Sequence, residues 1–146
     1  MQKWFFLSLF VISVVWTVVW QVSTSEKKMG AEDYLALGIE KGNMGSHYEA
    51  IEQFKNALNE EPDFVAAYLA LGNAYGNAKK YEDAINAYKE GIQINPRHKD
   101  VPQMEMNIAW VSHKNDDDKT AIIFTKKAIQ TYVYVYFKIK NKTFSV

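Results

Sequence analysis

The side chains of this sequence that could act on a substrate or hold a metal ion are three histidines, His47, His98 and His113, an acidic triplet at Asp116, Asp117 and Asp118, and the acidic pairs Glu60–Glu61 and Glu82–Asp83. The histidines lack the helical spacing with an intervening glutamate that sets two imidazoles on one face, so they offer no zinc site. The triplet has neither the glycine nor the distal glutamate of a calcium loop. It reads as a helix start, where carboxylates meet the positive end of the helix dipole. The pairs fall at turns or helix ends, where solvated charge is ordinary. No glycine loop is arranged for phosphate, and no serine sits in a nucleophile elbow. Cysteine is absent, which excludes disulfides, thiolate metal sites and a cysteine nucleophile. The expectation is a chain that is not an enzyme and uses neither metal nor cofactor.

The elements that would position any site follow from a repeat. Tyr34, Leu37, Gly38, Ala50, Ile51, Phe54, Ala57, Leu58 and Pro62 return one period later as Tyr68, Leu71, Gly72, Ala84, Ile85, Tyr88, Gly91, Ile92 and Pro96. In the first helix of each unit the aromatic and the leucine lie at i and i+3 on one face, and the glycine lets a neighbour approach closely. In the second, a small, a large and a small residue follow at i, i+4 and i+7, and the proline cannot continue the helix. This spacing predicts helices over 31–43, 47–60, 65–77 and 81–94, with tight turns at Met44–Ser46 and Ala78–Lys80. With three residues inserted between Arg97 and Val101, a third unit emerges over about 102–135: Ile108, Ala109, Ala121, Ala128 and Ile129 fall in place, Glu105 replaces the aromatic, and Thr125 stands where Phe54 and Tyr88 stood.

This pattern resembles the tetratricopeptide repeat, in two strong units (31–64 and 65–98) and one divergent one. The resemblance implies an all-α fold, a helix-turn-helix solenoid of about three repeats, in which the first helices of successive units line a concave surface that takes an extended or helical peptide. That lining would be Leu35, Ile39, Asn43, Leu69, Asn73, Asn77, Met106, Asn107 and Trp110. An asparagine amide can pair with a peptide backbone irrespective of sequence, and leucine, methionine and tryptophan supply burial. The subgroup that clamps a chaperone's terminal carboxylate needs basic residues here; Leu35, Ile39 and Ala70 occupy those places and only Asn73 agrees, so that subgroup is excluded. The function implied is a scaffold or adaptor for a protein or peptide partner. The alternative is an assembly subunit that self-stacks, or stacks on another repeat protein, through an uncapped last repeat.

Both ends of the chain depart from the repeat. From Trp4 to Val22 there is no charged residue, and a helix of that length approaches the thickness of a bilayer core, about 30 Å. Residues 1–25 are therefore expected to be a transmembrane anchor or uncleaved signal-anchor, making a single-pass membrane protein with its repeats, 31–135, on the non-cytoplasmic side. A cleaved signal peptide, leaving a secreted or periplasmic domain, is the competing reading. Lys+Arg and Asp+Glu balance at 17 each, yet no acid follows Asp118, so the repeat body is acidic and the tail, 136–146, basic and aromatic. Tyr132, Tyr134 and Tyr136 alternate with Val133, Val135 and Phe137 as in a strand, whereas Ala128, Tyr132 and Tyr136 also satisfy helical spacing. The helix is expected to continue to about Tyr136. Lys138, Lys140 and Lys142 among aromatics could meet anionic lipid; no nucleic-acid partner is expected.

Overall fold

The computed structural model describes residues 28–143, and the proposed anchor at 4–22 lies outside them. The described chain forms six α-helices: α1 (Ala31–Asn43), α2 (His47–Glu60), α3 (Val65–Asn77), α4 (Tyr81–Ile94), α5 (Val101–Lys114) and α6 (Asp118–Thr143). The first four have the bounds the spacing predicts. They pair as α1 with α2, α3 with α4 and α5 with α6; α3 then packs on α2 and α5 on α4, and the first helices α1, α3 and α5 adjoin in a row.

The turn inside each pair has one construction. Gly45, Lys79 and Asp116 adopt positive φ of 80°, 61° and 58°, in the left-handed region. The next residue closes each turn: the N–H groups of Ser46, Lys80 and Asp117 donate to the carbonyls of Lys41, Tyr75 and Ser112 at 2.9–3.0 Å. This satisfies carbonyls that a helix end leaves unpaired. The third turn is displaced by the inserted residues, so α5 and α6 form a genuine third unit. Asp117 then starts α6, its carboxylate accepting the Thr120 N–H at 3.1 Å. That bond and the Thr120 hydroxyl hold its carboxyl below the usual carboxylate range, as the helix-start reading of the acidic triplet requires.

Small residues let large rings fill the space between paired helices. A Cβ on Gly38 would lie 2.4 Å from the Phe54 ring, and one on Gly72 2.3 Å from the Tyr88 ring. Two apolar clusters result, one around Ala50, Ile51, Phe54, Leu71 and Ala74, the other around Val65, Ala84, Tyr88, Met104, Ile108 and Val111. The third unit is fastened differently. Glu105 is only 1% exposed, and α6 supplies both of its partners, Lys127 Nζ at 3.2 Å and the Thr131 hydroxyl at 2.8 Å. An ion pair and a charge-assisted hydrogen bond thus stand where Tyr34 and Tyr68 pack in the earlier units.

At its far end α6 passes Tyr136, near which it was expected to end, and runs to Thr143, 26 residues in all. The strand alternative for 132–137 is thereby overturned. Continuity with a capped, packed helix outweighs the β propensity of the Tyr-Val alternation, because each added helical residue gains a backbone hydrogen bond without a new nucleus.

Candidate functional site

The nine lining residues were expected to share one concave surface, and none is buried. Ile39, Asn43, Asn73 and Asn77 come together along a cleft of about 190 Å³ between α1 and α3. Asn43 and Asn77 end their helices at equivalent positions, so their amides repeat at the spacing of the solenoid. Met106 and Trp110 border a separate, larger cavity of about 540 Å³ between α5 and α6. Leu35 and Leu69 are half-buried and pack against the two apolar clusters, so much of their surface is given to the core.

Asn73 does more than line the cleft. Its side-chain oxygen accepts from the Tyr88 hydroxyl at 2.7 Å and from the Asn107 amide at 2.8 Å, and Gln103 donates in turn to the Asn107 oxygen. Asn73 and Asn107 therefore tie α3 to α5 and satisfy a buried tyrosine. Asn73, expected to pair with a peptide backbone, therefore has its side-chain oxygen engaged within the fold. Asn73→Ala would strip a buried hydroxyl of an acceptor, a loss of about 1–3 kcal/mol, and is a poor probe of binding.

Tyr88 carries the electrostatic signature of this network. Burial, against the smaller opposing effect of the Asn107 hydrogen bond, pushes its phenol up to about 12. In the unfolded chain a tyrosine ionises near pH 10, so between those values the unfolded state sheds a proton that the folded state keeps. Stability is then expected to be full below about pH 10 and to fall by up to about 1.4 kcal/mol per pH unit above it. Urea melts across that range, compared with Tyr88→Phe, test this: the substituted protein should lose much of the slope, and an identical slope would remove Tyr88 as its source.

Trp110 is 54% exposed, with Lys114 Nζ 5.7 Å from its ring centroid. It lies at the surface. Sequence spacing missed His47, which borders the α1–α3 cleft; its buried Nδ1 has no hydrogen-bond partner among the described residues. Its place in the chain could have pointed to it, because position 47 opens the second helix one tight turn after Asn43. His113 pairs with Asp118 at 2.9 Å and His98 with Asp100 at 3.6 Å, each at a turn. Among the described residues no cluster of three or more His, Asp or Glu could hold a metal ion.

Comparison with known proteins fits this architecture. Residues 65–98 match the family model described as tetratricopeptide repeat. No curated protein matches the sequence. Among solved structures, the chain is similar to a crystal structure of MamA, 23% identical with a TM-score of 0.70 over 75% of this chain. It spans 63% of that MamA chain. It is also similar to the Yersinia enterocolitica type III secretion translocator chaperone SycD, 16% identical, TM-score 0.66, covering 79% of this chain and 86% of that one. A third likeness is the N-terminal domain of stress-induced protein-1 from C. elegans, 14% identical, TM-score 0.67, covering 76% of this chain and 92% of that one. At these identities what is shared is the fold, paired helices in a tetratricopeptide-like stack.

Proposed function

We propose that this chain is a membrane-tethered protein-interaction module that holds an extended peptide along α1 and α3. The observation that carries the reading is the row of exposed Ile39, Asn43 and Asn77 along one cleft, with His47 beside it. Amide side chains at repeat spacing suit a peptide backbone, whose donors and acceptors also repeat, and Ile39 offers an apolar contact beside them. The cavity between α2 and α4 is a poorer match: Lys55, Asp83 and Glu90 line it, and their charges must be desolvated by any occupant. The fold is a paired-helix scaffold, and several of its polar side chains are engaged in a helix start and in inter-helix ties, which suits a role in binding.

The test uses the full chain in detergent and peptides selected on it from a random displayed library. Ile39→Ala with Asn77→Ala removes an apolar contact and an amide pair, together about 2–4 kcal/mol, or at least tenfold in Kd. Both sites are exposed, so the melting curve should barely move. Selected peptides that bind the double variant as well as the parent would reject this cleft.

The tether rests on the uncharged run 4–22. Among the described residues no helix is long and apolar enough to cross a membrane. The protein should remain in the membrane fraction through an alkaline wash. Recovery of a soluble product beginning near Glu26 would replace the anchor with a cleaved signal.

A further inference from the structure

Among the described residues, the third repeat exposes a surface that the earlier repeats cover. In α2 and α4 the residues Ile51, Phe54 and Leu58, and Ile85, Tyr88 and Ile92, are wholly or partly buried beneath the first helix of the following unit, α3 or α5. Their counterparts in α6 are Ile122, Thr125 and Ile129, and here the isoleucines are 55% and 59% exposed. With Met106, Trp110 and Tyr132 they border the 540 Å³ cavity. The helical spacing continues this stripe to Tyr136, also exposed.

The opposite end of the stack is built otherwise. On α3 and α5 the face that docks on the preceding repeat is Ala67, Leu71 and Ala74, then Met104, Ile108 and Val111, all buried. The same positions of α1 hold Asp33, Leu37 and Glu40. That face carries two carboxylates where the later units carry apolar side chains. Head-to-tail stacking would set the carboxylates of Asp33 and Glu40 on Ile122 and Ile129, taking both charges out of water against apolar side chains. The α6 stripe therefore suits a surface like itself.

We propose that the exposed stripe of α6 is a dimer interface, occupied by α6 of a second copy running antiparallel, with Ile129 on the two-fold axis. In that register Ile122 faces Tyr136 of the second copy, and Asp118, which pairs with His113 in its own chain, faces Lys140. The apolar centre is thus flanked at both ends by opposite charges, a complementarity that the reverse, parallel alignment would convert into like-charge contacts. Lys119 and Lys126 project to the side of the stripe by helical spacing and stay clear of the seam. Such an interface is isologous and closes at two copies, so it produces no filament. It goes beyond the peptide cleft, which lies between α1 and α3, and either can fail without the other.

The absence of native cysteine makes the test clean. Ile129→Cys and Ile123→Cys are compared in the full chain in detergent under mild oxidation. Both positions are exposed, but Ile123 points away from the seam, so association driven by the apolar amino-terminal segment alone would treat them equally. The expected result is a disulfide-linked dimer for Ile129→Cys at least roughly tenfold more abundant than for Ile123→Cys. Adding Asp118→Lys should cut that yield several-fold, and adding Lys140→Asp as well should restore it. Equal linkage at both positions overturns the proposal, as does linkage at Ile129 that is indifferent to the charge exchange. Absence of linkage, with the chain instead co-sedimenting with phosphatidylserine vesicles through Tyr132, Tyr136 and Lys140, assigns the stripe to a lipid surface and rejects the dimer.

Discussion

Ala84→Asp is expected to abolish cooperative folding of the repeat stack. Ala84 is 0% exposed, within the cluster formed by Val65, Tyr88, Met104, Ile108 and Val111. None of these neighbours can neutralise a carboxylate. An uncompensated buried charge costs about 3–5 kcal/mol, to which the overpacking of a site fitted to a methyl group adds. That is comparable to the whole stability of a small domain. Because each unit of a solenoid is stabilised by its neighbours, failure in α4 removes support from both sides. Asn86→Asp, an exposed change on the same helix, should alter stability by no more than about 0.5 kcal/mol. Circular dichroism melts of both decide the matter: a parental melt for Ala84→Asp would withdraw the packing described for α4.

The second large effect concerns the ring in the glycine niche. Tyr88→Ala should cost about 3–5 kcal/mol, the range for emptying a buried aromatic site. Gly72→Leu in the parent should also destabilise, since any Cβ there meets the Tyr88 ring at 2.3 Å. Combined, the two should cost less than their sum, because the leucine enters the space the ring has left. A coupling of about 1–3 kcal/mol in a double-mutant cycle is the expected reading. Strict additivity would mean that the glycine is not there to admit the ring. The third unit illustrates the same exchange in the native chain: Ala109 faces Thr125 where Gly72 faces Tyr88.

These examples also mark how far the sequence can be read. The first four helices were legible because aromatic, small and proline residues repeat at a spacing only a helical pair explains, and each of those residue types is demanded by packing. The position of the third unit was legible too, since α5 and α6 follow the inserted residues. What holds that unit was not. Glu105 reads as a lost aromatic, because sequence cannot reveal that Lys127 and Thr131, a helix away, meet its carboxylate. Asn73 poses the same difficulty: exposure follows from its face, but the claim of Tyr88 and Asn107 on its oxygen depends on contacts across two repeats. The end of α6 failed for another reason, since local β propensity and helix continuity point opposite ways and only the packed, capped start decides between them.

Amide hydrogen exchange of the full chain with and without a selected peptide tests most directly whether that peptide lies along α1 and α3. Exchange is expected to slow in the carboxy-terminal turns of α1 and α3, around Asn43 and Asn77, and at the start of α2 around His47, with α2 and α4 beside Lys55 and Glu90 unchanged. Protection confined to the α2–α4 side, with the amides around Asn43 and Asn77 exchanging as in the free protein, would contradict it.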